Sequence, residues 1–130
     1  MEDRICLDTD FLVNFLRGKV EAVRALRVYE KYAILATTII NVFELFYGAF
    51  LKKDIKEISA VEELVDRVLI LNLSKTSARI AGEIKAKLEG EGKSTDFRDV
   101  LIGSIALHED YALKTENKRH FERIEGLRII

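Results

Sequence analysis

The chain has 130 residues, of which 48% are hydrophobic and 33% are charged, and its formal net charge is −1 at pH 7. This composition excludes a disordered chain. The near-neutral charge lacks the basic excess of a typical nucleic-acid binder, so any nucleic-acid site has to be a local patch. The single cysteine, Cys6, excludes an internal disulfide and a Cys-x-x-Cys zinc site, and we expect it to be a small buried apolar residue.

Short apolar runs typical of strands alternate along the chain with longer segments typical of helices. In chain order the predicted elements are strand 4–7, helix 11–16, helix 20–32, strand 33–36, helix 38–51, helix 55–67, strand 68–73, helix 74–88, helix 96–110, strand 111–115 and strand 127–130. This order predicts one α/β domain over residues 1–130, with a mostly parallel sheet of about five strands and helices on both faces. In such sheets, ligands bind beyond the carboxyl ends of the strands.

The apolar segment 33–51 is long enough to resemble a membrane span. It contains Thr37, Thr38, Asn41 and Glu44, and a central carboxylate is costly in lipid. We therefore interpret it as a buried strand followed by a buried helix. The acidic N-terminus leads into too short an apolar run for a signal peptide, so we expect a cytoplasmic protein.

Two carboxylates, Asp8 and Asp10, follow the first predicted strand directly. Either could cap the next helix, because an Asp at that position accepts backbone N–H groups. One cap needs only one acid. We assign Asp10 as the cap of a helix that begins at Phe11, and Asp8 as the functional acid at the end of the strand.

Glu44 lies in a segment that is otherwise almost wholly apolar. On a helical period, Thr37, Asn41, Glu44 and Gly48 fall on one polar or small strip. A buried carboxylate without a partner is too unfavourable, so Glu44 needs a partner, a metal ion or a wet cleft. The structural alternative is a capping box with Asn41 as the cap, which requires the helix to begin later than predicted.

Asp96 and Asp99 open the helix predicted over 96–110. Asp96 is the natural cap, and an acid at position 99 would also be favoured by the helix dipole. Asp99 shares a face with Gly103 and Ala106, and small residues allow the helix backbone to approach its neighbour closely. We therefore take Asp99 as a site residue that faces the same strand ends as Asp8.

The three acids Asp8, Glu44 and Asp99 come from separate parts of the chain. Carboxylate oxygens near strand ends suggest a site for a hard cation, either Mg²⁺ or Mn²⁺. Such an ion can activate a water and neutralise charge on a phosphoryl group. The sequence contains neither a Gly-rich phosphate loop nor a plausible Ser-His-Asp set.

Four stretches of the sequence resemble PIN-domain ribonucleases, specifically the VapC-type toxins of prokaryotic toxin–antitoxin pairs. They are LDTDFLVNFL from Leu7, TTIINVFELFYG from Thr37, FRDVLIGSIAL from Phe97 and LKTENKRHFERIEGLRII from Leu113. They occur in the family's order and spacing and span the whole chain. The resemblance implies a three-layer PIN-like domain and an endoribonuclease that depends on Mg²⁺ or Mn²⁺.

The resemblance also implies which residues do the chemistry. Asp8, Glu44 and Asp99 correspond to the family's catalytic and metal-binding acids. Asn117 stands at the fourth ligand position, where many members have Asp, and His120 replaces a second acid that is often found nearby. These departures put the fourth ligand in question and imply a weaker metal site or one with a single ion.

Further residues receive supporting roles from the same resemblance. Thr9, Asp10 and Thr115 would lie beside the metal ligands and orient them. A basic cluster near the fourth position could hold the RNA backbone, and it consists of Lys114, Lys118, Arg119 and Arg123. The alternative is that this cluster is an ordinary solvated face, because Glu116, Glu122 and Glu125 are interleaved with it.

A toxin of this type implies two kinds of protein partner. One is a small antitoxin of VapB type whose C-terminal segment lies across the acidic pocket, and the other is a second copy in a homodimer. The amphipathic helices 20–32 and 55–67 could supply the exposed surface for either contact.

Two other functions remain open from the sequence. An aspartyl-nucleophile phosphatase also begins with a strand followed by Asp-x-Asp, which would make Asp8 the nucleophile and Asp10 the general acid. That interpretation requires both acids equally, whereas the nuclease interpretation depends less on Asp10. A domain that keeps the fold and acts only as a binding module is the second alternative, and the missing fourth acid favours it.

Overall fold

A four-stranded, all-parallel sheet organises the chain in the computed structural model, which describes residues 3–130. The elements in chain order are β1 (Asp3–Leu7), α1 (Thr9–Leu16), α2 (Val20–Tyr32), β2 (Ala33–Thr38), α3 (Ile39–Lys52), α4 (Ile55–Arg67), β3 (Leu69–Leu71), α5 (Lys75–Gly90), α6 (Phe97–His108), β4 (Ala112–Lys114) and α7 (Lys118–Phe121). The strands lie in the order β3-β2-β1-β4. The predicted α/β class and the parallel sheet are confirmed.

The prediction of about five strands is wrong by one, because segment 127–130 forms no strand of its own. Instead Leu113 makes a single parallel bridge with Ile129, and its amide donates to Arg128 O at 2.8 Å. Gly126, with φ +86°, turns the chain just before this segment. The chain therefore runs beside β4 for too short a distance to extend the ladder.

Helices cover both faces of the sheet, as the three-layer prediction requires. In β1, Ile5 and Leu7 belong to a core cluster with residues of α1, α2, α3 and α4. Cys6 points to the other face and packs with residues of α6 and the C-terminal segment. This alternation is what a strand buried on both sides produces. Cys6 is fully buried, as predicted, and burial raises the pKa of its thiol.

Helix α6 approaches the C-terminal segment closely at Gly103. A Cβ at this position would collide with Cδ1 of Ile124, so a larger residue would require the Ile124 side chain to move. The absence of a side chain at Gly103 therefore permits the close approach that the sequence predicts, and the neighbour is Ile124. Asp99 lies in the first turn of the same helix.

The starts of three helices test the capping assignments. Helix α1 begins at Thr9, so Asp8 is its N-cap residue and Asp10 lies in the first turn. The assignment of Asp10 as the cap of a helix starting at Phe11 is therefore wrong. Asp96 caps α6 by accepting the amide of Arg98, as predicted.

Helix α3 begins with a capping box between Thr38 and Asn41. The alternative in which Asn41 is the cap and Glu44 completes the box is therefore wrong, and Glu44 lies inside the helix. Segment 33–51 is a strand followed by a helix, as predicted, but the expectation that the helix is buried is wrong, because only the strip of Asn41, Leu45 and Ala49 is buried while several of its large apolar side chains are exposed. Within residues 3–130, no helix is long and apolar enough to cross a membrane.

Candidate functional site

The carboxyl ends of three strands are joined by short polar contacts. The hydroxyl of Thr37, in β2, donates to the carbonyl oxygen of Leu7, in β1, at 2.7 Å. The amide of Asp8 donates to the carbonyl oxygen of Lys114, in β4, at 2.9 Å. Because these strands are parallel, the residues that follow them share one edge of the sheet. We call this surface the acidic edge, which comprises Asp8, Glu44 and Asp99 with the residues that hold them.

Asp8 is the most buried acid of the acidic edge, with 5% of its surface exposed. Its Oδ1 accepts from Nδ2 of Asn41 at 2.9 Å, and its Oδ2 accepts from the hydroxyl of Thr115 at 2.7 Å. The backbone of Thr9 also contributes a hydrogen bond. Within residues 3–130 these donors are all uncharged. Burial raises the pKa of Asp8 above its ordinary value, and the nearby charge of Asp99 adds to this effect.

Glu44 is connected to Asp8 through two side chains. The hydroxyl of Thr9 donates to Oε1 of Glu44 at 2.7 Å and accepts from Nδ2 of Asn41 at 2.9 Å. The same Asn41 amide donates to Asp8. The sequence predicts that Glu44 needs a partner, a metal ion or a wet cleft. In the structure its carboxylate contacts Thr9 and, through Oε2 at 3.6 Å, Nη1 of Arg98.

Asp99 lies in the first turn of α6, whereas Asp8 precedes α1 and Glu44 lies in α3. Oδ2 of Asp99 is 3.5 Å from Nδ1 of His120. Burial raises the pKa of Asp99, and the charge of Asp96 adds to this effect. The charge of Asp99 also raises the pKa of Asp8, as the smallest of the contributions to that shift.

Asp10 has a different role from Asp8. Its carboxylate accepts the amide of Glu116 through both oxygens, at 3.3 Å and 3.1 Å, and Oδ1 also accepts the amide of Phe11 at 2.7 Å. Burial raises the pKa of Asp10, and the charge of Asp8 adds to this effect. Asp10 therefore fastens the segment after β4 to the start of α1.

The segment after β4 contains the remaining predicted ligand. Asn117 is exposed, and its backbone amide donates to the hydroxyl of Thr115 at 3.0 Å. Thr115 thus receives a hydrogen bond from this segment while it donates to Asp8. The supporting position predicted for Thr115 agrees with these contacts, and the ligand role of Asn117 stays a prediction.

The four predicted RNA-binding cations occupy different surroundings. Arg123 donates to the carbonyl oxygen of Ser94 at 2.6 Å and lines a cavity that also contains Asp99 and His120. Nζ of Lys114 lies 5.8 Å from the ring centroid of Phe11. The other two, Lys118 and Arg119, are exposed on α7. Of the four, Arg123 is the one that lines the cavity with Asp99.

Sequence reasoning missed two residues of the acidic edge. Asn41 was placed on the polar strip of α3, but its contact with Asp8 depends on how α3 packs against β1, which periodicity does not reveal. In the sequence, Arg98 is indistinguishable from an ordinary charged residue at the start of a helix. The structure places its guanidinium between Glu44 and Asp96.

The chemistry of the acidic edge fits a divalent cation that keeps part of its water shell. All of the candidate donors are hard carboxylate oxygens, and Asp8 is a buried carboxylate with uncharged donors and a repelling neighbour in Asp99. A cation would relieve that repulsion. Within residues 3–130, however, no group of three or more His, Cys, Asp or Glu side chains is close enough to hold an ion directly. Mg²⁺ usually retains several waters, which can bridge wider gaps.

Comparisons with known proteins agree on one family. The PIN domain family model matches residues 5–127. Ribonuclease VapC2 of Haemophilus influenzae is 31% identical over 124 residues, which cover 94% of this chain and 92% of that protein. The tRNA(fMet)-specific endonuclease VapC of Shigella flexneri is 28% identical over 127 residues, which cover 96% of this chain and 95% of that protein.

Solved structures give the same result. The VapBC2 complex of Rickettsia felis, bound to a DNA fragment from its promoter, contains a chain that matches with a TM-score of 0.90 and 27% identity. The match covers 98% of this chain and 97% of that chain. A chain of the DNA-bound VapBC complex of Salmonella typhimurium matches with a TM-score of 0.85, 27% identity and the same coverage.

Proposed function

From the premise that the chain belongs to the PIN-domain family, as a ribonuclease of VapC type, we propose that Asp8, Glu44 and Asp99 bind Mg²⁺ or Mn²⁺ for the endonucleolytic cleavage of RNA. The observation that carries this proposal is the hydrogen-bonded chain Asp8–Asn41–Thr9–Glu44. It holds two acids from distant parts of the sequence at one edge of the sheet, and Asp99 is close enough to Asp8 to affect its pKa.

When bound, a divalent cation lowers the pKa of water and stabilises the charge that develops on phosphoryl oxygens. The protein's part is to place its carboxylates without allowing them to move. Asn41 and Thr115 hold one oxygen of Asp8 each, and Thr9 holds one oxygen of Glu44. Such fixed orientation lowers the reorganisation needed during the reaction.

The surroundings of Asp10 argue against the phosphatase alternative, as does the match to the PIN domain over residues 5–127. A general acid has to reach the substrate. Both oxygens of Asp10 instead face the amide of Glu116. Asp10 therefore holds the backbone of Glu116 in place rather than facing a substrate.

Basic residues beside the acidic edge are the proposed contacts to the RNA backbone. Arg123 is the best placed of them, because it lines the same cavity as Asp99 and His120. Lys114 lies in β4, and Lys118 and Arg119 are exposed in α7. A phosphate backbone is attracted to such residues without regard to base sequence.

RNA cleavage with and without Mg²⁺ tests the catalytic proposal. We expect wild-type cleavage to require the cation, and Asp8→Asn to lose at least about 100-fold, because a metal ion contributes several kcal/mol of charge stabilisation. Asp10→Asn is the matched control, and we expect it to lose less than about 10-fold. Equal losses in the two variants would contradict the supporting role of Asp10. Cation binding without cleavage of any RNA would favour the binding module.

We also propose a small VapB-type antitoxin and a second copy of the chain as partners, in the cytoplasm. The solved relatives are VapBC complexes. The predicted surfaces on α2 and α4 do contain exposed apolar residues, but α3 exposes more of them than either: Ile39, Phe43, Tyr47, Phe50 and Leu51. Light scattering of the protein alone and after co-expression with its genomic neighbour tests both partners. A monomer that captures no antitoxin would contradict this part of the proposal.

A further inference from the structure

Arg98 bridges two acids at the rim of the acidic edge. Its Nε and Nη2 pair with Oδ1 and Oδ2 of Asp96 at 3.2 Å and 2.9 Å, which is the two-pronged geometry of a strong Arg–carboxylate pair. Its remaining nitrogen, Nη1, lies 3.6 Å from Oε2 of Glu44. The guanidinium therefore uses one side for Asp96 and the other for a proposed metal ligand.

The start of α6 fixes this arrangement. Asp96 caps the helix by accepting the amide of Arg98 at 2.8 Å, and the same carboxylate holds the guanidinium. The side chain is thereby bent back over the helix terminus toward Glu44. Asp96 contributes most to the raised pKa of Arg98, and the charges of Glu44 and Asp99 add to this effect.

The two oxygens of Glu44 have different partners. Oε1 accepts from the hydroxyl of Thr9, which also belongs to the hydrogen-bonded chain that reaches Asp8. Oε2 faces Arg98. Within residues 3–130, Oε2 accepts no hydrogen bond, so both of its lone pairs remain for a cation, and it is also the oxygen that faces Arg98.

We propose that Arg98 is a positioning residue that competes with the divalent cation for Oε2 of Glu44 and so weakens cation binding. This inference rests on the proposed function, because it assumes that the acidic edge binds the cation. In the metal-free protein Arg98 neutralises Glu44. Binding of the cation displaces the guanidinium from Glu44, while Asp96 keeps Arg98 at the rim.

Calorimetric titration with Mn²⁺ tests the competition directly, without reference to activity. We expect Arg98→Gln to bind Mn²⁺ at least about five-fold more tightly than the wild type, because a direct like-charge neighbour is removed. Arg123→Gln is the matched control. It removes the same charge from the same rim, where the guanidinium bonds to the neutral carbonyl of Ser94, and we expect a change of less than about two-fold.

Arg98→Lys separates direct contact from charge alone. Lysine keeps the charge but cannot form the two-pronged pair with Asp96 that aims the guanidinium at Glu44. We expect its Mn²⁺ affinity to lie between those of the wild type and Arg98→Gln. Thermal unfolding of each variant checks that it is folded, and Arg98 is exposed enough to be replaced without a loss of core packing.

The outcomes separate this inference from the proposed function. If the wild type binds Mn²⁺ and Arg98→Gln gains no more than Arg123→Gln, the competition is wrong and the metal site stands. If Arg98→Lys equals the wild type while Arg98→Gln binds more tightly, charge alone acts and direct competition is wrong. If the wild type binds no Mn²⁺, or if Asp8→Asn leaves the binding unchanged, both the proposed function and the competition fail.

Discussion

The two halves of the acidic edge differ in how their side chains are held. The ordered half consists of Asp8, Thr9, Asn41, Glu44 and Thr115, which are linked by hydrogen bonds and are mostly buried or half-buried. The open half consists of Asp99, Asn117 and His120. Oδ2 of Asp99 lies 3.5 Å from Nδ1 of His120, and the His120 side chain is 60% exposed. The fold holds the side chains of the ordered half in place, whereas those of the open half are accessible to ligands.

This difference follows from where the residues stand. The ordered half lies at the ends of β1, β2 and β4, where ladder hydrogen bonds already fix the backbone. The open half lies on the first turn of α6, at the residue before α7 and in α7 itself. Fixed ligands lower the reorganisation needed in catalysis, while an open side is required for RNA to enter. The comparison predicts that substitutions in the two halves have different effects.

The largest effect is expected from Asn41→Ala in the ordered half. Asn41 is fully buried, and it donates to both Asp8 and Thr9 while it accepts from Thr38. Its loss leaves buried polar groups without partners. We expect a decrease of about 2–3 kcal/mol in the free energy of unfolding and a loss of about 10- to 100-fold in RNA cleavage. Urea unfolding and a cleavage assay measure the two quantities.

Ser104→Ala is the control for the loss of a buried polar group. Ser104 is also fully buried, but within the described residues its hydroxyl has no hydrogen-bond partner. We expect a change of less than about 0.5 kcal/mol, or a gain in stability, and unchanged cleavage. Equal destabilisation by the two substitutions would mean that the contacts of Asn41 do not hold the ordered half together.

A smaller effect is expected from Asn117→Asp in the open half. The change adds a negative charge at the exposed fourth position and removes no buried contact. We expect Mn²⁺ to bind about three- to ten-fold more tightly, with a free energy of unfolding that changes by less than about 0.5 kcal/mol. Unchanged Mn²⁺ binding would show that position 117 lies outside the site.

The smallest effect is a dependence on pH in the metal-free protein. Burial raises the pKa of Asp8 above 3.8, so the folded state holds this proton more tightly than the unfolded state does. Stability contributed by protonated Asp8 is therefore lost as the pH rises from 3.8 through the raised pKa. We expect Asp8→Asn to become more stable relative to the wild type over that interval, as measured by urea unfolding at several pH values.

Asp96→Asn has the opposite sign and serves as the comparison. Hydrogen bonds from Arg98 lower the pKa of Asp96, so its stabilising contribution is present above 3.8 and is lost as the pH falls through the lowered pKa. The substitution should therefore matter less at low pH than at neutral pH. The same slope for Asp8→Asn and Asp96→Asn would contradict the contrast between a buried acid and a paired one.

The sequence predicted the parts of the fold that local patterns determine. Helices 20–32 and 55–67 have the predicted bounds, because amphipathic periodicity defines each helix and a strand begins within two residues of its C-terminal end. The fifth strand failed, because a strand needs a partner of sufficient length, and residues 127–130 reach β4 at a single bridge. The assignment of Asp10 as a cap is wrong, because the helix begins at Thr9, two residues before the predicted start, and Asp8 is its N-cap residue.

The candidate site was predictable only in part. Asp8, Glu44 and Asp99 stood out as acids in apolar or strand-end positions, and the resemblance gave them roles that stay predictions. The contact of Asn41 with Asp8 spans separate elements, and so does that of Arg98 with Glu44. Such contacts depend on helix packing, and no local pattern in one sequence contains that information.

Calorimetric titration of four single variants with Mn²⁺ tests the central claim most directly. If Asp8, Glu44 and Asp99 form one cation site, then Asp8→Asn, Glu44→Gln and Asp99→Asn each weaken Mn²⁺ binding by at least about 10-fold. Asp10→Asn should change it by less than about three-fold, because its carboxylate faces the amide of Glu116. Binding that survives in any of the first three variants, or is lost equally in Asp10→Asn, would contradict a site built from these three acids.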